Sequence, residues 1–490
     1  METYNAIIEM LAGIVWHDSL IALLVCVGIY FTIRIGFWQF TSLPLMVRLM
    51  TKSKASERGI SSFQAFLTTV AGRVGIGNIA GTAVAIYMGG PGAVFWMWLI
   101  ALVGSASAFI ESTLAQIYKT EVAGQYVGGP AQYAKKALGI EWYGTLIAII
   151  LIFSCIIGSP GIQSNVIADS MKSAFNIPEL VTGFIVAIAL GWVVFGGIKR
   201  IAEVSEILVP IMCIVYIFLA IIIVIANITK LPAIIGLIFS SAFGLNPAFA
   251  GITGSAISWG VKRGVYSNEA GLGAGAPAAA AAEVSHPAEQ GLVQACSVFV
   301  DTLLVCSATA FLILTTGKYN ILGPDGKTMI IENLPGIDAG PGYVQAALAT
   351  LIPFGEQILA FIITLFAFTC LYGYYYQAEA AISSLTEKSG PTVYKITILV
   401  ARIVIVINVL VSSQFEAVAA WNLADIGGGI LAWAHIILLL LICKPAIIAA
   451  KDYKEQYKKG IIPVFEPDKL GIKNAEIWNE INKRQQISSS

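Results

Sequence analysis

Charged residues are scarce in this chain: 12% of its 490 residues are Asp, Glu, Lys or Arg, while 57% are hydrophobic and the mean hydropathy is +0.80. A soluble domain carries about 25% charged residues, so this deficit excludes one and places the chain in a membrane. The charges that remain balance, 29 basic against 29 acidic. That leaves no excess for a nucleic-acid partner and implies nothing about the charge of a substrate. The 7 cysteines all lie in or beside apolar stretches and form no C-x-x-C pair, so neither a disulfide framework nor a zinc site is indicated. H-E-x-x-H, the phosphate loop G-x-x-x-x-G-K-[ST] and the elbow G-x-S-x-G are all missing, which speaks against an enzyme and against an organic cofactor. Glu2 and Glu9 precede the first apolar run without a basic residue, the wrong start for a cleaved signal peptide.

What the chain has in abundance is apolar runs long enough to cross a bilayer. Eleven are expected, near 14–38, 62–88, 92–117, 143–167, 180–196, 203–228, 247–282, 290–316, 355–384, 393–413 and 417–443. The seventh is too long and too glycine-rich for one simple helix. An amphipathic piece, Leu231 to Leu245, precedes it at the surface, and Lys318 to Pro341 reads as an extramembrane loop. Short-loop basic residues gather on one side, among them Arg48, Lys52, Lys54, Arg58, Lys119, Lys135, Lys136, Lys199, Arg200, Lys388 and Lys395. Lys172, Lys230, Lys318 and Lys327 fall on the other. The first side is therefore cytoplasmic, with the N-terminus outside and the C-terminus inside a plasma membrane. One transmembrane unit is expected over 1–445, followed by a solvated or partly helical cytoplasmic tail, 446–490.

The second run contains Ala71-Gly72-Arg73-Val74-Gly75-Ile76-Gly77-Asn78-Ile79-Ala80-Gly81. Each glycine costs a helix about 1 kcal/mol relative to alanine, and a membrane-buried arginine costs several times more unless paired or wetted. A packing face between helices is one explanation; a helix deliberately unwound to expose backbone groups is the other. A second stretch 190 residues downstream, Arg263-Gly264-Val265-Tyr266-Ser267-Asn268-Glu269-Ala270-Gly271, matches Arg73–Gly81 at its Arg, Asn, Ala and Gly. Five spans separate the two, so they run in opposite directions. That is the inverted-repeat plan of secondary transporters, with broken helices meeting at the midplane. The repeats are 62–228 and 247–443, and the leading helix 14–38 stands outside them. Freed N–H groups at a half-helix N-terminus suit a carboxylate, and freed carbonyls suit a sodium ion.

Gly89-Gly90-Pro91-Gly92-Ala93-Val94-Phe95-Trp96-Met97-Trp98-Leu99-Ile100-Ala101-Leu102-Val103-Gly104 resembles, position for position, the signature of the alanine/glycine:sodium symporter family. Val74–Asn78, Gly128-Gly129-Pro130 and Lys262–Gly271 resemble that family as well. The resemblance implies an all-α integral membrane protein with the leucine-transporter fold, one leading helix and a five-plus-five inverted repeat with two discontinuous helices. It also implies sodium-driven uptake of a small neutral amino acid, alanine or glycine.

The same resemblance implies site residues. Val74-Gly75-Ile76-Gly77-Asn78 is similar to the first helix break of that fold, which implies N–H groups of Ile76 and Gly77 on the substrate carboxylate. Carbonyls of Ala71 and Val74 would face sodium, and Asn78 would serve a second ion, the substrate or a helix contact. Phe366-Ala367-Phe368-Thr369-Cys370 resembles the ion-binding segment, with Thr369 and the Phe366 carbonyl as ligands and Cys370 where a second hydroxyl is usual. A thiol is a poor partner for a hard cation. The second break is expected at Gly271–Pro277, bringing Gly273, Ala274, Gly275 and Ala276 to the substrate, with Gly251–Ser255 the competing position. Gln163 reaches the pocket or sits at an interface. Arg73, Arg263, Glu111, Glu269, Asp301 and Glu379 are expected to pair and brace the broken helices; a proton relay is the alternative. Proton coupling and, less favoured, a channel remain the competing functions.

Overall fold

The computed structural model describes residues 2–52, 55–415 and 417–489; Lys54, counted above among the basic loop residues, lies outside them. The chain is overwhelmingly helical. Among the described residues eight helices are long and apolar enough to cross a membrane, nine if the bent pair Ser62–Arg73 and Gly77–Gly89 counts as one span. The other two expected segments are shorter: Glu179–Val194 has 16 residues, and the glycine-rich seventh is split into Thr253–Asn268 and Ala276–Ala281. Large apolar side chains such as Ile188, Trp192, Ile214, Phe218, Ile396 and Val400 point outward from three of the helices, a surface only lipid tolerates.

The first broken span starts with a capping box, in which Ser61 and Gln64 satisfy each other's backbone N–H. It bends by 54° where 74–76 leave the helix. The second runs antiparallel to it. At one end Ile60 N–H donates to Ala281 O at 3.0 Å, joining the start of the first span to the end of the second. At the other end Gly89 lies so close to Thr253–Asn268 that a Cβ there would sit 2.8 Å from Ala256 Cα. This explains the glycines of the 89–104 signature physically. They let Gly92–Ile117, a largely buried helix, run backbone to backbone against its neighbours; a Cβ on Gly92 would meet Ala242 N at 2.7 Å.

Several expectations shift. The leading helix spans Met10–Arg34, not 14–38, because Gly36 and Phe37 adopt positive φ and turn the chain. The surface piece is the helix Leu231–Ala242. The loop at 318–341 holds a hairpin, Asn320–Leu322 against Met329–Glu332. The tail, expected to be solvated or partly helical, holds the helices Lys444–Lys458 and Ile477–Ser489, and Tyr453, Phe465 and Trp478 are buried. Trp478 Nε1 donates to Gln116 O at 3.0 Å, and Phe465 N–H donates to Ser285 O at 3.2 Å. Isolated aromatics at wide spacing dock this segment, and they leave no periodic apolar run for the sequence to reveal.

Candidate functional site

The site is built where the two breaks face each other. At the first, Val74 turns extended (ψ 92°) and the chain re-enters a helix as one wide π-turn, Gly77–Gly81. Such turns mark functional positions in helices. The freed donors are taken by side chains: Gly75 N–H by Asn78 Oδ1 at 2.8 Å and Ile76 N–H by Gln163 Oε1 at 3.4 Å. Gly75 is enclosed on its other side, where a Cβ would collide with Cys370 Sγ. Ile76, Asn78 and Gln163 are thus brought together at the first break. Gly77 faces instead the other broken helix; a Cβ there would lie 3.3 Å from both Ser267 Cα and Tyr266 Cδ1.

At the second break the helix ends on Glu269 in the left-handed region (φ 51°), and Gly271 and Gly273 (φ 86° and 83°) carry the turn to Ala276. The break occupies 269–275, within two residues of the expected stretch, and Thr253–Ser255 are helical. Glu111 Oε2 accepts the N–H groups of Gly271 and Gly273 at 3.1 and 3.0 Å. Arg73, at the edge of the first break, lies 3.6 Å from the other Glu111 oxygen and close against Gly275. Arg73 also donates to Gln294 O and Ser297 Oγ. His435 Nδ1 bonds Gly271 O at 2.6 Å and its Nε2 contacts the Tyr133 hydroxyl. A carbonyl can only accept, so Nδ1 carries the proton and Nε2 accepts from tyrosine.

The two asparagines that align in the repeat converge on one turn of a third helix. Asn78 Nδ2 donates to Asp301 Oδ1 at 2.7 Å, and Asn268 Nδ2 donates to Thr302 Oγ1 at 3.2 Å. Asp301 Oδ2 also accepts from Ser267 Oγ at 2.9 Å and Thr302 Oγ1 at 2.7 Å. This carboxylate is fully buried and sits in another wide turn, Phe299–Cys306. Among the described residues its hydrogen-bond partners include no cation. Repeat-related Arg263 pairs differently, gripping Asp425 through two nitrogens at 3.0 and 3.2 Å with Lys262 at 2.8 Å.

Against the second break lies a small cavity of about 20 Å³, lined by Tyr266, Glu269, Ala274, Cys155, Tyr374 and Gln377 among others. Of the substrate residues expected from sequence, only Ala274 lines it; Ala276 is buried at the head of the next half-helix. Sequence reasoning missed Tyr266, Tyr374 and Gln377, which carry no spacing signal. The expected ion group is adjacent but mutually satisfied. Ala71 is buried beside the Gly72–Gly373 crossing, Cys370 Sγ donates to Gly72 O at 3.1 Å, and Thr369 Oγ1 donates to Phe366 O at 2.8 Å. Among the described residues no three His, Cys, Asp or Glu side chains cluster as for a transition metal.

Residues 1–467 match the model of the sodium:alanine symporter family. The chain belongs to that family. It is 48% identical over 442 residues to a sodium/proton-dependent alanine carrier protein of Bacillus sp. strain PS3, covering 90% of this chain and 98% of that one. It is 34% identical over 462 residues to the sodium/alanine symporter AgcS of Methanococcus maripaludis, covering 92% and 98%. In fold it is similar to the Eremococcus coleocola manganese transporter, with TM-score 0.52, 13% identity and coverage of 86% and 91%. The family comprises symporters, so this multi-pass membrane protein is a carrier and not an enzyme.

Proposed function

We propose that the chain couples inward movement of Na⁺ to uptake of alanine or another small neutral amino acid by alternating access. In this reading it has eleven spans, a leading helix and a five-plus-five inverted repeat as in the leucine-transporter fold, and its C-terminus is cytoplasmic. The observation that carries it is Asp301. A buried carboxylate with hydroxyl and amide partners but no basic one is costly unless a cation joins it. Here the hydroxyls of Ser267 and Thr302 stand on one of its oxygens and the Asn78 amide N–H on the other, a ring in which the carboxylate and the two hydroxyls offer oxygen. Oxygen ligands of this kind suit a hard cation, and the ring ties both broken helices to the ion. The alternative ion position is the group Ala71, Val74, Phe366, Thr369 and Cys370, through carbonyls and the Thr369 hydroxyl.

The amino acid would put its carboxylate on the N–H groups of Ile76 and Gly77, displacing the Gln163 amide oxygen that now accepts from Ile76. Its ammonium would face Glu269 and Gln377, whose side chains lie within 3.5 Å of each other at the small cavity. In proteoliposomes, labelled alanine uptake should collapse when choline replaces Na⁺, and Asp301→Asn should raise the half-saturating Na⁺ concentration at least tenfold. Uptake indifferent to Na⁺ but driven by a pH gradient would move the reading to proton coupling through Glu111, His435 and Tyr133. Competition by glycine and by larger neutral amino acids gives the substrate range.

A further inference from the structure

The first membrane helix ends at Arg34, and the left-handed Gly36 and Phe37 redirect the chain into Trp38–Thr41 and the amphipathic helix Leu43–Lys52. The helix packs its Met46, Leu49 and Met50 face on the protein and leaves Leu43, Val47 and Arg48 outward, just beyond the end of the first span. Lys444–Lys458 returns against it: Lys454 Nζ donates to Ile35 O at 2.6 Å and lies 4.7 Å from the centre of the Trp38 ring.

Two adjoining grooves of 430 and 380 Å³ open between these helices, sharing Leu45 and Tyr457. Among the described residues every charged side chain lining them is basic: Lys454 and Lys458 in one, Arg48 in the other. Their rim is apolar and uncovered, with Val47 60%, Ile461 55% and Ile462 65% exposed. A basic hollow with an apolar rim, at the level where the first span ends, is complementary to one kind of molecule: an anion attached to hydrocarbon.

We propose that the two grooves form a binding site for the phosphate headgroup of an anionic phospholipid, with its acyl chains over Val47, Ile461 and Ile462. Arg48 and Lys458 supply the charge-assisted donors, and Lys454, already committed to Ile35 O, holds the floor. A zwitterionic lipid adds an ammonium that would meet only cations there.

Native mass spectrometry of the purified full-length protein with phosphatidylglycerol or phosphatidylcholine tests this. The wild type should retain phosphatidylglycerol about tenfold more tightly, and Arg48→Gln with Lys458→Gln should lose on the order of tenfold for it while leaving phosphatidylcholine unchanged. Both side chains are exposed, so an unchanged melting temperature separates lost binding from lost folding. Lys172→Gln with Lys327→Gln, which line neither groove, should change nothing. Equal retention of the two lipids, undiminished phosphatidylglycerol binding in the first variant, or displacement by inorganic phosphate as readily as by the lipid would each overturn the proposal.

Discussion

Arg73 and Glu111 stand 3.6 Å apart with both side chains wholly buried, and each holds one of the broken helices. Arg73 ends the first half-helix of one span; Glu111 caps the glycine turn of the other. The pair therefore fixes the two breaks relative to each other across the helix Gly92–Ile117, which carries Glu111.

Glu111→Gln keeps an oxygen for Gly271 and Gly273 but leaves Arg73 as an uncompensated buried charge. Breaking such a pair costs about 3–5 kcal/mol. The variant should melt well below the wild type in detergent and lose alanine uptake. Arg73→Gln with Glu111→Gln should melt higher than the sum of the single losses allows, with a coupling of at least about 1 kcal/mol. Additive losses would show that the two side chains do not brace one another.

Gly75→Ala tests the first break without removing a polar group. The added methyl would collide with Cys370 Sγ and approach Gln163 Oε1 to 3.3 Å. Uptake should fall by at least tenfold while membrane expression persists. Cys370→Ala in the same chain removes the colliding sulfur and should restore a measurable part of the rate. A Gly75→Ala protein with normal transport would mean that Cys370 and 74–76 do not stay in contact through the cycle.

Much of this arrangement is legible in the sequence, for identifiable reasons. Apolar length gives most of the spans, and the Arg–Asn–Ala–Gly repeat marks both breaks, because glycine and buried arginine are anomalies in a membrane helix. The repeat does not predict where within it each helix opens. In the first it opens just after Arg73, in the second just after Asn268, five residues later in the alignment. Glu269 in a left-handed conformation fixes the second position, and nothing in its chemistry as a residue announces that. The partners of the repeated residues were equally hidden. Asp425, which grips Arg263, sits alone in an apolar run, and His435 meets Gly271 only through the fold.

A barrier closes one side of the site. An open vestibule of 550 Å³ is lined by Trp421, whereas the small cavity is lined by Tyr266. The Trp421 and Tyr266 rings lie 5.5 Å apart, and Arg263 lies 4.7 Å from the centre of the Trp421 ring. Trp421→Ala should open the inner cavity to the vestibule. In a chain retaining Cys155 as its single cysteine, a small membrane-impermeant thiol reagent should then modify Cys155 severalfold faster. An unchanged rate would mean that the barrier lies elsewhere.

The docked tail has a pH signature. Lys119 follows the helix Gly92–Ile117, is buried, donates to Ala282 O at 3.2 Å and lies 5.0 Å from the centre of the Trp478 ring. Burial pushes its ammonium down to about 7. Between pH 7 and the ordinary lysine range the unfolded chain thus binds a proton that the folded one lacks. Stability contributed by the neutral amine is full above that window and falls as pH drops through it, by up to about 1.4 kcal/mol per unit. Below pH 7 both states are protonated and the slope vanishes. Lys119→Met removes the titrating group, so the wild-type melting temperature measured against this variant should rise from pH 7 to pH 9 and level off below. A difference independent of pH would show that Lys119 stays charged beneath Trp478.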